Sequence, residues 1–570
     1  MSSLLGSLPP ASIMIVGALL VPLLRGRVQT VYILALPLLS ALQLIAFFGM
    51  PEGAHQQVEL LGYTLTLARI DKLSLVFALI FHIVAFLSVV YASHVKDSGQ
   101  HVAGIAYAGA GIAAVFAGDL ITLFVYWELT AIASVFLIWA RRTERAYRTG
   151  MRYLIIQVAS GVLLLAGTIV HYQATGTLAF DHLGTGTLGT NLIFFAFGIK
   201  AAFPFLHNWL QDAYPEATVT GTVFLSAFTT KLAIYALARG YAGTEILIPL
   251  GVTMTIFPIF FAVIENDLRR VLAYSLNNQL GFMVVGIGVG TELALNGTVA
   301  HAFAHLVYKG LLFMSMGAVL HRTGTIKASE LGGLYKSMPL TAVFCIIGAM
   351  SISAFPLFSG FVTKSMIISA VGDQHLFWAF IGLTFASAGV MEHSGIKIPF
   401  FAFFAHDSGI RCKEAPANML LAMGGMAALC IGIGVFPAPL YALLPYEVEY
   451  QAYTTTHVVT QLQLLMWAVL AFAVLMRTGL YPAEMRSTNL DFDWTYRRGL
   501  PRALGGLERV GGAAWASLVR GAVAMVRGTV AQIYELCGPT GLWGRTWSTG
   551  STVLWVAVLL AAYLVVYYLR

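Results

Sequence analysis

The sequence predicts an all-α polytopic membrane protein. Of its 570 residues, 58% are hydrophobic and only 10% are charged, and the mean hydropathy is +0.80. Apolar runs of about 20 residues, the length of a membrane-crossing helix, recur along the whole chain. Basic residues gather in alternate loops between these runs. This composition excludes a soluble protein with a large core.

Sixteen runs are long and apolar enough to be read as membrane spans. The first is expected to be retained, because residues 1–12 carry neither a basic segment nor a signal-peptide cleavage site. The predicted spans are 4–24, 29–50, 71–94, 102–118, 119–140, 150–173, 188–210, 217–241, 245–264, 271–290, 293–320, 338–371, 376–404, 417–440, 458–480 and 551–569.

The distribution of basic residues predicts the topology. Loops after odd-numbered spans carry them, whereas loops after even-numbered spans have only Arg69, Lys72 and Arg239. Positive loops face the cytoplasm, so both termini are predicted on the outer side of a bacterial inner membrane. The residues of the odd loops are Arg25, Arg27, Lys96, Arg141, Arg142, Arg145, Arg148, Arg269, Arg270, Arg322, Lys327, Lys336, Arg411 and Lys413.

Two stretches differ from the spans. Residues 57–71 alternate apolar and polar side chains around Gly62, which predicts a short external β-hairpin that caps the outer face. Residues 482–549 carry scattered arginines, and their portion 500–535 is amphipathic at helical spacing. We expect this portion to lie along the cytoplasmic membrane surface or against a partner. Its glycines weaken the prediction of one continuous helix.

The stretch 194–231 places Lys200 and Lys231 inside apolar runs, with Pro204 between them. A charged amine at hydrocarbon depth costs at least ~2.5–3.5 kcal/mol, so such a lysine faces the protein interior and is functional by default. Pro204 lacks a backbone N–H and is expected to break the helix just after Lys200. Backbone groups freed by a break need protein or a water-filled cavity, which indicates an ion path.

An internal repeat is centred on two prolines. The sequence KAAFPF around Pro204 is echoed by SAFPLF around Pro356, which Lys364 follows. These broken spans are five apart, so the second unit is upside down in the membrane, as in transport folds. The predicted domains are N-terminal helices with the hairpin (1–100), a first inverted repeat (101–241), a second inverted repeat (245–404), C-terminal core helices (405–481), the amphipathic segment (482–549) and a terminal transmembrane helix (550–570).

Ionisable side chains form a series inside the predicted spans. Five of the ten lysines lie there, and one carboxylate joins them. A single buried lysine is equally well explained by a structural ion pair, but five with a carboxylate favour a charge relay. The candidates are Glu128, Lys200, Lys231, Lys309, Lys364 and Lys397.

Span 11 adds two histidines to this series. His301, His305 and Lys309 are spaced i, i+4, i+8 and therefore share one helix face. With a pKa near ~6.5, histidine exchanges protons around neutral pH. The alternatives are a hydrogen-bonded helix contact or a metal pair, for which no third ligand is present in the sequence. Glu392 and His393 in span 13 are weaker candidates close to a span boundary.

These groups define a mechanism in which charge moves by switching partners. Ionised Glu128 beside protonated Lys200 is a favourable pair, and separating the pair lets Lys200 pass its proton towards Lys231, the span 11 face and Lys364. Beyond the break, candidates for a proton or cation entrance are Trp209, Asp212 and Glu216, although a solvated loop explains Glu216 equally well.

No cofactor or metal site is predicted. The cysteines are isolated and lack the spacing that holds a metal or an iron–sulfur cluster. Nucleotide-binding loops with the patterns G-x-G-x-x-G or G-x-x-x-x-G-K-[ST] are not found either. Energy must therefore arrive as an ion gradient or as a push from a partner. The four cysteines are Cys345, Cys412, Cys430 and Cys537.

Five segments carry a resemblance to a known family. They are VYWELT at 125–130, FGIKAAFPFLHNWLQDAYPEA at 197–217, FTTKLAIY at 228–235, HAFAHLVYKGLLFMSMGAV at 301–319 and FPLFSGFVTKSMI at 355–367. In this order they resemble the antiporter-like subunits of respiratory complex I and of the Mrp-type multisubunit Na+/H+ antiporters. The resemblance extends over roughly 70–440.

The resemblance implies a fourteen-helix core of two inverted five-helix repeats. It implies that Glu128 and Lys200 are the family's pair, Lys231 its bridging lysine and Lys364 its terminal lysine, with His301, His305 and Lys309 as the central relay. Spans 12 and 13 and the tail NLDFDWTYRR look closest to a D-type Mrp subunit. The extra segment and sixteenth span instead resemble the distal member of the complex I membrane arm, which carries a lateral helix.

Three functions fit the sequence. The first is the proton-translocating subunit of a Mrp-type Na+/H+ antiporter, with other membrane subunits, protons and Na+ or K+ as partners. The second is a membrane-arm subunit of complex I or of a membrane-bound hydrogenase, driven by electron transfer elsewhere. The third is a membrane partner that supplies proton energy to an uptake system for inorganic carbon.

Overall fold

The computed structural model describes residues 6–486 and 489–569, and most of them are helical. The chain divides into two compact units, Met1–Asn489 and Leu490–Arg570. Within the described residues, the only sheet has two strands. The predicted all-α class is therefore confirmed.

The helices of the first unit follow the predicted spans. Helices α1–α7 are Ser12–Leu20, Gly26–Phe48, Lys72–Ala92, Ser98–Phe116, Leu120–Trp139, Glu144–Thr175 and Leu188–Lys200. Helices α8–α13 are Asn208–Glu216, Gly221–Ala227, Thr229–Gly240, Leu247–Ile264, Leu268–Val289 and Glu292–Thr323. Helices α14–α18 are Pro339–Ile352, Ser359–Asp373, Phe377–Val390, Ala417–Val435 and Thr455–Thr478. The first fifteen predicted spans each coincide with one helix or with an interrupted helix.

Across the described residues, ten helical stretches are long and apolar enough to cross a membrane, with Gly221–Gly240 counted as one. Three further apolar helices are shorter, namely Ser12–Leu23, Leu188–Lys200 and Pro339–Ile352. In α13, 94% of the apolar stretch is buried inside the protein. This helix, which carries the two predicted histidines, therefore runs through the interior of the unit.

The predicted hairpin is confirmed and is longer than its sequence signal. Strands β1 (Gly53–Leu60) and β2 (Tyr63–Ile70) pair antiparallel. The two-residue turn between them has positive φ at Leu61 and Gly62, the geometry that matches the twist of a hairpin. Asp119 joins this hairpin to α5, because its carboxylate accepts from the N–H groups of both Thr66 and Thr122 at 2.7 Å. The hairpin thereby fixes the start of the helix that carries Glu128.

Both predicted helix breaks are present, and they share one backbone pattern. Helix α7 ends at Lys200, and α8 begins after a turn that contains Pro204. Helix α14 ends at Ile352, and α15 begins after a turn that contains Pro356. The residues two before and one after each proline have positive φ, which costs energy at non-glycine positions. These residues are Ala202 at 61° and Phe205 at 69°, and Ala354 at 57° and Leu357 at 73°.

Span 13 is not the regular helix that its apolar run predicts. Beyond α16 the chain widens into π-helical turns at Met391–Ile396 and Phe400–Phe404. Pro399 lies between them and has no N–H to donate to an α-helical ladder. Such π-turns occur frequently at functional sites. Glu392, His393 and Lys397 all lie in or beside these turns.

The second unit contains α19 (Leu500–Cys537) and α20 (Thr549–Tyr568). Helix α19 is continuous over 38 residues, so its glycines do not interrupt it. A Cβ added at Gly505, Gly506, Gly511 or Gly512 would meet nothing within 4 Å. The predicted position of this helix at the membrane surface stays a prediction.

Candidate functional site

The first predicted lysine is buried at the end of a broken helix. Lys200 is the last residue of α7, and its side chain is inaccessible to solvent. Its ammonium donates to Trp127 O at 2.6 Å and to Thr130 Oγ1 at 3.1 Å. It also lies 4.4 Å from the centroid of the Trp127 ring. Helix α5 therefore holds this amine in place with two neutral acceptors and an aromatic face.

Glu128 lies next to this amine on α5. It interacts electrostatically with Lys200, but among the described residues the two form no ion pair within 4 Å. One carboxylate oxygen of Glu128 is buried without a hydrogen-bond partner. The carboxylate packs against Gly161 of α6, at a point where a larger side chain has no room. The arrangement is thus a charge pair at longer range, with a carboxylate that is confined sterically rather than by hydrogen bonds.

The second lysine lies at another irregular point. Helices α9 and α10 are interrupted at Phe228, and Lys231 follows in the first turn of α10. Its ammonium donates to Ser226 O at 2.6 Å and to Thr230 Oγ1 at 3.2 Å. Lys231 is fully buried and lies within electrostatic range of His305 and Lys309. It therefore lies within reach of the α13 face, and its bridging role stays a prediction.

The predicted face of α13 is buried and hydrogen-bonded. His301 Nε2 lies 3.2 Å from Gln279 Oε1, and its Nδ1 lies 3.1 Å from Thr363 Oγ1. Tyr308 donates to the same Gln279 oxygen at 3.0 Å. Helix α13 is thereby connected to α12 through Gln279 and to the second broken helix through Thr363.

His305 is the least satisfied group of this face. Both of its ring nitrogens are buried without a hydrogen-bond partner in the described part of the chain. Its ring contacts those of His301 and Tyr308, at centroid distances of 6.3 and 5.3 Å. One turn further on, Lys309 donates to Ser275 Oγ at 2.8 Å. An unpartnered imidazole between two lysines is able to accept or release a proton when a neighbouring side chain or water reaches it.

The fourth lysine, Lys364, reaches the second break from the opposite direction. It lies in α15 and donates to Ile352 O at 3.2 Å and to Ser387 Oγ at 3.3 Å. Its ammonium also lies 5.3 Å from the centroid of the Phe282 ring. When the two sequences are aligned on Pro204 and Pro356, Ile352 takes the position of Lys200, four residues before the proline. Lys200 thus precedes the first break, whereas Lys364 follows the second break and bonds to the carbonyl at the matching position.

Lys364 lines a cavity of about 640 Å³ between α15, α16 and α18. The start of α18 and the residue before it contribute the polar side chains of Thr454, His457 and Gln461 to this lining. The His457 ring stacks on Phe361 with a centroid distance of 4.2 Å. This cavity gives the buried amine a path towards the N-terminal end of α18.

Lys397 is buried in a separate environment. Its ammonium donates to Glu265 O at 2.8 Å and to Val263 O at 2.5 Å. It forms an ion pair with Glu484 at 2.8 Å, a residue that the sequence interpretation did not single out. The only sequence signal for Glu484 is a lone carboxylate directly after a span, which is common in solvated loops.

The predicted entrance residues are engaged in other contacts. Asp212 pairs with Arg152 at 2.7 Å, and Glu216 pairs with Arg145 at 2.8 Å and with Arg141. Glu216 is nearly buried, so the solvated-loop alternative is wrong for this residue. Trp209 is buried and its indole donates to Ile199 O at 2.9 Å, a carbonyl next to the break. The contacts of these three residues therefore hold the second half of the broken helix in position.

Arg269 is a buried residue that the sequence assigned only to a basic loop. Its guanidinium donates to the carbonyls of Tyr214, Pro215, Ala217 and Thr218 at 3.1–3.3 Å. These carbonyls lie at and just beyond the end of α8, where carbonyls lack the full set of helical partners, although Thr218 O also accepts from the Thr222 N–H. Arg269 therefore clamps the second half of the broken helix onto α12.

Comparisons with known proteins agree with this architecture. Residues 117–389 match the family model described as NADH:quinone oxidoreductase/Mrp antiporter, TM. The D subunit of the Na+/H+ antiporter of Alkalihalophilus pseudofirmus is 31% identical over 57% of this chain and 70% of its own length. The N subunit of the NADH-quinone oxidoreductase of Desulforudis audaxviator is 31% identical over 61% of this chain and 75% of its own length.

A solved structure agrees as well. One polypeptide in the structure of the Mrp complex from Dietzia sp. DQ12-45-1b superposes with a TM-score of 0.75 and 25% identity. The match covers 92% of this chain and 62% of that polypeptide, so this chain spans less than two thirds of it. The resemblance carried by the five sequence motifs is thus confirmed. The chain belongs to the NADH:quinone oxidoreductase/Mrp antiporter family of transmembrane proteins.

Proposed function

We propose that this chain is the proton-translocating subunit of a multisubunit monovalent cation/H+ antiporter of the Mrp type. The observation that carries the proposal is the series of buried ionisable groups that runs from α5 to α15, in which Lys200 and Lys231 lie at helix interruptions. Buried charges of this kind are expensive in a membrane and are retained where protons or ions move. The similar protein from Alkalihalophilus pseudofirmus is named for Na+/H+ antiport, which supports Na+ as the exchanged cation.

The proton path begins at Glu128 and Lys200. A proton held by Lys200 is stabilised by the carboxylate at longer range, and it is released when that carboxylate moves away or is neutralised. Lys231 is the next amine, and its electrostatic range includes His305 and Lys309. The unpartnered nitrogens of His305 make it the acceptor between these amines.

The path continues from α13 to the second break. His301 is linked to Thr363, the residue that precedes Lys364 in α15, and Lys364 lines the cavity beside α18. A proton delivered to Lys364 thus reaches a cavity that His457 and Gln461 also line. The stretches 101–241 and 245–404 would act as the two inverted repeats, with both termini on the outer side of a bacterial inner membrane.

A redox-driven complex is the second candidate, because the matching subunit of a NADH-quinone oxidoreductase is equally similar to this chain at 31% identity. The two candidates differ in their source of energy. An ion gradient suffices for antiport, since moving one charge across the membrane is worth ~2.3 kcal/mol per 100 mV. A redox enzyme needs an electron donor and an acceptor.

The test uses inverted membrane vesicles that contain the complete complex. A pH gradient is formed across the vesicles, and Na+ or K+ is then added without any electron donor. The proposal expects the cation to collapse the gradient. A gradient that responds only when a reductant and an acceptor are supplied would replace the antiporter with the redox enzyme.

A further inference from the structure

A second group of titratable side chains surrounds Lys397. The π-turns after α16 bring Glu392 and His393 close to this lysine, and Lys397 interacts electrostatically with Glu392, Glu484 and Glu265. The Lys397–Glu484 ion pair is almost fully enclosed, with exposed side-chain fractions of 0% and 7%. Enclosing an ion pair at this depth costs several kcal/mol per ion before the attraction is counted. Because π-turns occur frequently at functional sites, the π-turns beside this costly ion pair indicate a function for it.

This group borders a cavity of its own. About 310 Å³ of space lies between the end of α18 and the loop residues Ser329 and His406, and both Tyr481 and Glu484 line it. The Lys364 cavity lies instead at the beginning of α18. A helix of 24 residues spans about 36 Å at 1.5 Å per residue. The two cavities are therefore on opposite sides of the membrane.

The charges show which side each cavity faces. Near the Glu484 cavity, Arg486 pairs with Glu330 at 2.6 Å, and Lys327 pairs with Asp267 at 2.8 Å. Loops rich in arginine and lysine lie on the cytoplasmic side. This rule predicts that the Glu484 cavity faces the cytoplasm and that the Lys364 cavity faces outwards.

Hydrogen bonds connect this group to the centre of the relay. His393 Nδ1 lies 2.8 Å from Ser394 Oγ, Ser394 donates to Ser275 Oγ at 2.7 Å, and Lys309 donates to the same Ser275 oxygen at 2.8 Å. The other nitrogen of His393, Nε2, is buried without a partner among the described residues. His393 is also within electrostatic range of Lys397. An unbroken line of polar atoms thus leads from the π-turn to Lys309.

Glu484 has the chemistry of a proton acceptor at the cavity wall. It lies after the end of α18, outside the membrane-spanning helices. Burial raises the pKa of its carboxyl, and the Lys397 ammonium opposes that rise. The charged or titratable groups that face it are Lys397, Glu265, Glu392 and Tyr481, and His406 lines the same cavity. A carboxyl with a raised pKa takes up protons closer to neutral pH than an ordinary glutamate does.

We propose that Glu484, Lys397 and His393 form a proton-loading branch that delivers protons from the cytoplasmic cavity to Lys309. A proton from the cytoplasm reaches Glu484 through water in the cavity, and the pairing of the neutralised carboxyl with Lys397 weakens. The Lys397 ammonium gives one proton to His393 Nε2 and takes the Glu484 proton in its place, and the imidazolium releases the proton on Nδ1 to Ser394. Each hydroxyl of the Ser394–Ser275 pair takes one proton and gives up another. Neutral Lys309 receives the last one, while the Ser275 hydroxyl turns to donate to its nitrogen.

The branch rests on the proposed function, because it supplies protons to the relay described there. It adds a second cytoplasmic source besides Glu128 and Lys200, located in the other half of the chain. Protons loaded at Lys309 can leave through Lys364 without passing Lys200. The second half therefore has its own access on both sides of the membrane.

The test uses the complete complex in inverted vesicles and follows cation-dependent proton movement against pH. Glu484→Gln removes the acceptor, and we expect at least a fivefold lower rate with a changed pH profile. Glu484→Asp keeps a carboxylate and should restore part of the rate. The matched control is Glu330→Gln, a carboxylate on the same side that pairs with Arg486 and should leave rate and profile at wild-type values.

A second pair of variants covers the case in which Glu484→Gln lowers the amount of complex in the membrane. Ser394→Ala removes one hydroxyl from the hydrogen-bonded line without changing charge, and we expect a several-fold lower rate. Its control is Ser315→Ala, a buried hydroxyl on α13 that bonds within its own helix at 2.8 Å. If Glu484→Gln and Ser394→Ala both match their controls in rate and pH profile, the branch is wrong.

The failure of the branch and of the proposed function can be told apart. A wild-type complex that moves no protons without an electron donor counts against the antiporter alone. The same variants are then measured on donor-driven proton movement, where the expected losses are unchanged. Wild-type antiport with unaffected branch variants counts against the branch alone.

Discussion

Replacing Gly161 with alanine should displace Glu128 while leaving the fold intact. An added Cβ would overlap Glu128 Oε1 and Cδ, so the carboxylate must move by about 2 Å to reach an ordinary van der Waals contact. Gly161 lies inside α6, where alanine is preferred over glycine by about 1 kcal/mol. The helix itself therefore tolerates the change, and the effect falls on the charge pair.

The size of the effect follows from Coulomb's law. Opposite charges ~4–6 Å apart attract by ~3–4 kcal/mol at an effective dielectric of ~20, and ~2 Å more separation removes ~1 kcal/mol. That is about a fivefold change in an equilibrium, or ~0.7 pH unit. Because the displaced carboxylate stabilises protonated Lys200 less, we expect about fivefold slower exchange, with an optimum at lower pH.

The assay is cation-dependent proton exchange in inverted vesicles across a range of pH, normalised to assembled complex. Gly432→Ala is the matched control, since Gly432 lies inside α17 and an added Cβ there meets nothing within 4 Å. This control should keep the wild-type rate and optimum. If Gly161→Ala gave the same rate and optimum as Gly432→Ala, the Glu128 carboxylate would have no part in proton transfer.

Three further changes test other parts of the account. Glu128→Gln should depress exchange and move its pH optimum, and an unchanged profile at full activity would make the residue structural. Asp71, whose burial is outweighed by Arg239 so that its pKa is lowered, should stabilise the fold above about pH 4 and lose this effect as the pH falls. Asp71→Asn, which leaves buried Arg239 without its charge partner, should cost roughly 3 kcal/mol at pH 7 in thermal unfolding of the solubilised protein, and less near pH 3. Deleting residues 490–570 should weaken co-purification with a neighbouring subunit while the rest still inserts, and loss of membrane insertion would contradict this.

The helices and the lysine positions could be predicted from sequence because each rests on a strong local signal. Hydropathy places the spans, and a proline in an apolar run marks a break. The equal spacing of Ala202 and Ala354 from their prolines was also visible, although the left-handed conformation of these residues was not. The i, i+4, i+8 spacing of His301, His305 and Lys309 was sufficient to place them on one face.

The other features of the site depend on tertiary contacts, which leave no periodic pattern in the sequence. Pro399 widens the helix into π-turns, which rotates Lys397 towards Glu484, a residue 87 positions later in the chain. Arg269 was read as one of many loop arginines, because nothing local distinguishes a buried guanidinium that caps a helix from a solvated one. Glu128 was expected to form a favourable pair with Lys200, and no pattern in the sequence indicated that its carboxylate packs against Gly161 in the neighbouring helix.

The most direct test of the relay is the rate of cation-dependent proton exchange in Lys200→Ala. Alanine removes the buried amine and adds no charge to the membrane, so the complex should still assemble. Lys413→Ala, at an exposed loop lysine, provides the control. The account predicts background exchange for Lys200→Ala and wild-type exchange for Lys413→Ala, at equal amounts of complex. Exchange near the wild-type rate in Lys200→Ala would contradict it.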